Sequence, residues 1–183
     1  MYENQKYAPR VLEDRGMVHA IFGTGPGKTS RAIGLAIRMA GAGGKVIFVQ
    51  FMKSGDSSEV ELLKNIPEIR YLCPGRMPFI LPKGPKKEHY DHARQALDWA
   101  REASGGDCDL LICDEILDAL YFRLIPLDLV MDLVRHRNPA TELVLTGADL
   151  PGELFDEADY VTQLIQVKHP YYRGASARRG IEY

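Results

Sequence analysis

The chain has 183 residues, with 23 Lys and Arg against 25 Asp and Glu, for a formal net charge of −2. That length predicts one domain with its own core, and the balanced charge, without a basic stripe or aromatic ladder, predicts no nucleic-acid partner. No apolar run is long enough to cross a bilayer, and the three cysteines, Cys73, Cys108 and Cys113, lack metal-ligand spacing and read as reduced thiols of a cytoplasmic protein.

Residues 1–16, "MYENQKYAPRVLEDRG", are polar and lack the apolar stretch of a signal peptide, so a flexible N-terminal arm is expected before a single domain at 17–183. The run "MVHAIF" (17–22) predicts a first strand, followed by a Gly-rich segment and the helical pattern "KTSRAIGLAIRMAGA". "KVIFVQF" (45–51) predicts a second strand. The Pro/Gly-rich stretch "CPGRMPFILPKGPKK" (73–87) is of the kind that forms lids and binding loops. In the next helix, "EHYDHARQALDWAREA", Tyr90, Ala93, Leu97 and Ala100 fall on one face, which predicts its buried side. "DLLIC" (109–113) and "ELVLTG" (142–147) are further strands, with helices over "PLDLVMDLVRHR" and "PGELFDEA". Val/Ile/Leu-rich runs alternating with helices predict a doubly wound, mostly parallel α/β sheet with right-handed crossovers.

Between the first strand and its helix lies "GTGPGKTS" (23–30). It reads as a phosphate-binding loop one residue short of G-x-x-x-x-G-K-[ST], because only Thr24, Gly25 and Pro26 separate Gly23 from Gly27. Glycines let backbone N–H groups converge on an anion, and the helix N-terminus adds partial positive charge. Lys28 is then expected on phosphate oxygens and Thr29 on Mg²⁺, with Ser30 in the same turn. The rival reading is a Gly-rich turn that merely precedes Lys-Thr, and the strand-loop-helix context weighs against it.

"LLICDE" ends in Asp114 and Glu115 directly after a buried run. Ligands collect at the carboxyl ends of strands in such sheets, so one or both acids are expected to hold Mg²⁺, directly or through water. Helix capping is the rival role for Asp114. His89 and His92 are expected on a solvated helix face rather than on a metal, and His19 as a satisfied core histidine. On composition alone, Lys168, His169, Arg173, Arg178 and Arg179 form a solvated basic tail.

These motifs together resemble the P-loop type corrinoid (ATP:cob(I)alamin) adenosyltransferases over residues 16–183. That family's loop is also one residue short, typically G-[ND]-G-K-G-K-T-[TS]. "VQFMKSG" (49–55) is similar to its V-Q-F-x-K-G strand, "ICDEI" to its acidic strand end, "LVLTG" to a later strand and "VKHPYYRGASARRGIEY" to its C-terminal signature. The resemblance implies a P-loop NTPase-like fold and an Mg²⁺- (or Mn²⁺-) and ATP-dependent enzyme of adenosylcobalamin synthesis or salvage. Its substrate would be a corrinoid (cobalamin, cobinamide or cobyrinic acid a,c-diamide). Reduced Co(I) would attack the 5′ carbon of ATP, tripolyphosphate would leave, and residues 23–30 would hold the terminal phosphate. It further implies a homodimer and an electron-donating reductase or flavodoxin. Lys28 and Glu115 are the implied catalytic groups. Phe79, with Met77 and Ile80 nearby, is the implied group that displaces cobalt's lower axial ligand.

Two positions depart from the pattern. Pro26 stands where the family has a lysine, and Ala148 where it has an arginine after T-G. They leave open a degenerate member that binds nucleotide or corrinoid as a sensor or carrier. An ordinary P-loop kinase is a third reading, but no acceptor-binding motif supports it.

Overall fold

Apolar runs and helical patterns alternate along the chain. The computed structural model, which describes residues 15–75, 80 and 82–183, folds them into a six-stranded sheet. In chain order the elements are β1 (Val18–Phe22), α1 (Lys28–Gly41), β2 (Val46–Gln50), α2 (Ser58–Lys64) and β3 (Ile69–Leu72), then α3 (Lys87–Ser104) and β4 (Leu110–Asp114). They continue with α4 (Ile116–Tyr121), α5 (Leu127–His136), β5 (Glu142–Gly147), α6 (Gly152–Glu157) and β6 (Tyr160–Gln163). The strand order is β3-β2-β4-β5-β1-β6, and every pairing is parallel. This is the expected doubly wound α/β sheet of the P-loop NTPase-like kind. The expected arm at 1–16 lies outside the described residues except for Arg15 and Gly16.

The four inner strands are buried along nearly their whole length, as a sheet covered on both faces requires. Alternation along β4 assigns the faces: Leu111 and Cys113 join a core with α3, α4 and α5, whereas Leu110 and Ile112 join one with α1. On α1, Ala32, Ala36 and Ala40 recur every four residues and carry the helix onto the sheet. At the amino end of the strands the buried Arg137 guanidinium donates to the carbonyls of Thr141, Val134 and Gly16. Beside it, Glu142 accepts from the Met17 amide at 2.7 Å and pairs with His19 Nε2, whose ring stacks on Tyr160. His19 is therefore in the core as expected but only partly satisfied, since among the described residues its buried Nδ1 has no hydrogen-bond partner.

The buried face of α3 differs from the expectation. Ala93, Leu97 and Ala100 are inside, but Tyr90 is exposed and His89 takes its place. His89 is also not on a solvated face. Its Nδ1 accepts the Lys86 amide at 2.7 Å, a bond that turns the ring in over the first turn and satisfies one of the amides a helix start leaves free. Among the described residues no helix is long and apolar enough to cross a membrane, and Cys73, Cys108 and Cys113 are free thiols.

Candidate active site

The carboxyl ends of β1, β5, β4 and β2 form one rim, and the Gly-rich loop closes over its β1 end. Gly23 and Gly27 hold φ of 116° and 102°, a region that side chains rarely adopt. Gly27 is the N-cap of α1, among the described residues the helix has no side-chain cap, and its first turn holds no acid. Its amino end is therefore open to an anion. Two of the loop's amides already have partners. The Gly23 amide is committed to the carbonyls of Gly147 and Ala148, and the Gly25 amide donates to the Leu164 carbonyl just past β6 at 2.9 Å. A Cβ at Gly23 would lie 2.3 Å from that same Leu164 oxygen. Lys28 folds back over the loop, with Nζ donating to the carbonyls of Gly23 at 2.8 Å and Gly25 at 3.1 Å. Thr24, Pro26 and Ser30 are exposed.

Asp114, fully buried, is the hub of the rim. Thr29 Oγ1 donates to it at 3.2 Å, Gln50 Nε2 at 3.0 Å and Thr146 Oγ1 at 2.7 Å, and Tyr71 in turn donates its hydroxyl to Gln50. The sheet makes this meeting inevitable. Gln50 and Asp114 are register partners, and Gln50, Asp114 and Thr146 each follow by two a residue of the α1-side core, Phe48, Ile112 and Val144.

Glu115 turns away. Its φ of 62° is left-handed, and its carboxylate meets Lys53 Nζ at 2.9 Å instead of joining Asp114. Burial pushes the Glu115 carboxyl up to about 7 against the opposing pull of Lys53. Burial pulls the Lys53 ammonium down, but the Glu115 charge and hydrogen bond leave it raised. Asp118 accepts the Ala148 amide at 3.1 Å. Burial raises its carboxyl, while that amide and the Lys28 charge oppose the rise.

The structure thus brings Thr29 and Asp114 together as expected, sets Lys28 in the loop, and gives Glu115 to a lysine. Phe79 and Met77 lie outside the described residues, and Ile80 packs against the main core. Among the described residues no three His, Cys, Asp or Glu converge, so no all-protein metal cage is offered. A hydroxyl beside a carboxylate, completed by phosphate and water, is the donor set Mg²⁺ takes, and Thr29 with Asp114 fits it. The tail keeps Lys168, Arg173, Arg178 and Arg179 exposed, as composition alone predicts. From Leu164 on the loop it runs to Ser58 at the start of α2, whose hydroxyl donates to the Tyr183 carbonyl oxygen at 2.9 Å. Lys53, Gln50, Thr146 and Asp118 carry contacts here for which motif spacing gave no role.

Residues 14–183 match the family model described as ATP:corrinoid adenosyltransferase BtuR/CobO/CobP. The chain is 30% identical to a corrinoid adenosyltransferase of Pseudomonas aeruginosa, an alignment covering 95% of this chain and 87% of that one. It is 28% identical to a corrinoid adenosyltransferase of Escherichia coli K12 and to the corrinoid adenosyltransferase CobA of Salmonella typhimurium. Each of those alignments covers 95% of this chain and 89% of the relative.

Proposed function

The chain belongs to the ATP:corrinoid adenosyltransferase family, and from that premise we propose that it joins C5′ of ATP to the Co(I) centre of a corrinoid and releases tripolyphosphate whole. In that step the cobalt electron pair forms the Co–C5′ bond. The C5′–O bond breaks, and its electrons leave on the triphosphate. The chain's task is to orient the reacting carbon and to hold the charge on the departing group.

One observation carries this reading: an uncapped, acid-free helix start under Lys28, beside the Thr29–Asp114 pair. Lys28 exchanges the neutral carbonyls of Gly23 and Gly25 for phosphate oxygens, a charge-assisted and stronger bond. Residues Gly23 to Ser30 line the phosphate end. Mg²⁺ or Mn²⁺, held by Thr29 and Asp114, supplies positive charge to the phosphates when bound. Glu115, paired with Lys53, keeps a second carboxylate at the rim within the same network. Phe79 is assigned the displacement of cobalt's lower ligand, which eases reduction of Co(II). A reductase or flavodoxin as electron donor, a homodimer, a cytoplasmic setting and cobalamin, cobinamide or cobyrinic acid a,c-diamide as substrate complete the reading. Family membership, with Lys28, Thr29 and Asp114 in place, weighs against a binding-only sensor.

Phosphorus NMR of a single turnover with chemically reduced cobalamin tests the reading. Intact tripolyphosphate and one adenosylated corrinoid per ATP are expected. ADP with a phosphorylated acceptor or inorganic phosphate would assign a kinase or ATPase instead.

A further inference from the structure

We infer that Thr146 is a positioning residue that holds the two acids of the rim apart, one toward Thr29 and one toward Lys53. The inference rests on the metal reading above for its consequence, but its geometry stands in the chain alone. Thr146 is fully buried near the end of β5, a strand that carries neither the loop nor the acids but lies between β1 and β4. Its hydroxyl has one proton and two lone pairs. The proton goes to Asp114 Oδ1 at 2.7 Å, and a lone pair accepts the Glu115 amide at 2.9 Å.

A single oxygen therefore fixes a side chain and the next residue's backbone at once. The first bond, with those from Gln50 and Thr29, leaves the Asp114 carboxylate no freedom to rotate away from Thr29. The second anchors the left-handed turn at Glu115, a conformation a non-glycine residue holds only when its surroundings impose it. That turn delivers the Glu115 carboxylate to Lys53, 2.9 Å away, rather than over Asp114. Two carboxylates adjacent in sequence thus acquire different partners. Gly147 contributes as well: a Cβ there would lie 2.5 Å from Leu117 Cβ and 2.8 Å from the Asp118 amide, so α4 can press onto the end of β5 and keep Thr146 in reach.

Thr146→Val keeps shape and removes the hydroxyl, whereas Thr146→Ser keeps the hydroxyl. Two readouts separate positioning from packing. The first is hydrogen exchange of the Glu115 amide in the ligand-free protein. The second is Mn²⁺ affinity in the presence of ATP, by electron paramagnetic resonance. Loss of a hydrogen bond to a charged group corresponds to about tenfold or more. Thr146→Val is expected to speed the exchange and weaken Mn²⁺ binding by about that factor, with Thr146→Ser near wild type in both. Wild-type exchange and Mn²⁺ affinity in the Val variant would overturn the inference, as would a Ser variant as impaired as Val. If Thr146→Val does not fold, Thr146→Cys replaces it. Its weaker donor is expected to give an intermediate loss, and wild-type values there would overturn the inference too. Wild-type protein that binds no Mn²⁺ with ATP would refute the metal reading, and the amide exchange would still decide the role of Thr146.

Discussion

Replacing Lys53 by Met keeps an apolar stem in place and removes the charge that compensates Glu115. In the wild type, burial holds the Glu115 carboxyl at about 7 rather than 4.5. At 1.36 kcal/mol per pH unit the gap is worth about 3 kcal/mol. The sign follows from proton count: the folded state binds the proton more tightly, so this group's contribution is fully present below about 4.5 and is lost as pH rises through about 7. Without Lys53 the charged carboxylate is worse off still. Breaking a buried pair costs roughly 3–5 kcal/mol, but these side chains are 33% and 24% exposed, and solvent screening brings the expectation down to about 2 kcal/mol. That loss is expected at pH 8.5, where Glu115 is ionised in both proteins or driven to take up a proton. At pH 5.5, where Glu115 is protonated in both, about 0.5 kcal/mol or less is expected. Urea denaturation at the two pH values, with a chelator present, measures the difference. An equal loss at both would refute the argument and assign Lys53 to packing.

Lys28→Ala is expected to lower turnover by about 10²–10³ while moving folding stability by less than about 1 kcal/mol, because among the described residues the side chain bonds only loop carbonyls. Steady-state kinetics beside a thermal melt check this, and near-normal turnover in the folded variant would remove Lys28 from the phosphate site. Phe79→Ala is expected to slow adenosylation started from Co(II) and a weak reductant, and to be largely rescued by prepared Co(I). Equal losses in the two assays would point to packing. Burial pushes the Glu142 carboxyl up, but hydrogen bonds from His19 and the Met17 amide hold it below its ordinary value. Its contribution is therefore present above about pH 4.5 and lost as pH falls through the lower folded value. Glu142→Gln should cost about 1 kcal/mol at pH 7 and progressively less toward pH 3, measured by denaturant melts across that range.

What the sequence made legible follows from where the information lies. The four inner strands show as apolar runs because both faces of each are buried, and their ends mark the rim. Edge strands β3 and β6 have four residues each, partly exposed, so "IRYL" and "YVTQ" carry no such run. Helices α2 and α4, of seven and six residues, offer less than two turns of periodicity, as does α6. The loop and the acid pair are local in sequence, so spacing alone marks them as candidates. Gln50, Lys53 and Thr146 fall within the segments "VQFMKSG" and "LVLTG" that carry the resemblance, but their approach to the acids comes from the tertiary fold, which spacing does not encode. A physical signal accompanies the resemblance: Gln50 and Thr146 are polar residues at the ends of otherwise apolar runs. A buried strand end does not keep such groups without a partner.

The short loop gains its meaning from what its amides already do. With the Gly23 amide committed to β5 and the Gly25 amide to the segment after β6, the arc of the loop has fewer donors to offer than a longer loop would. Open to an anion are the uncapped start of α1 and the ammonium of Lys28. A phosphate is therefore favoured at the helix end of the loop, close to Thr29 and Asp114. A Cβ at Gly23 or at Gly25 would meet the Leu164 carbonyl within 3 Å, so side chains are excluded at both positions. The loop and the chain after β6 are thus held against each other. Relaxing either one disturbs the other, which is why a substitution at Gly25 is expected to act on nucleotide binding through a segment that the nucleotide need not touch.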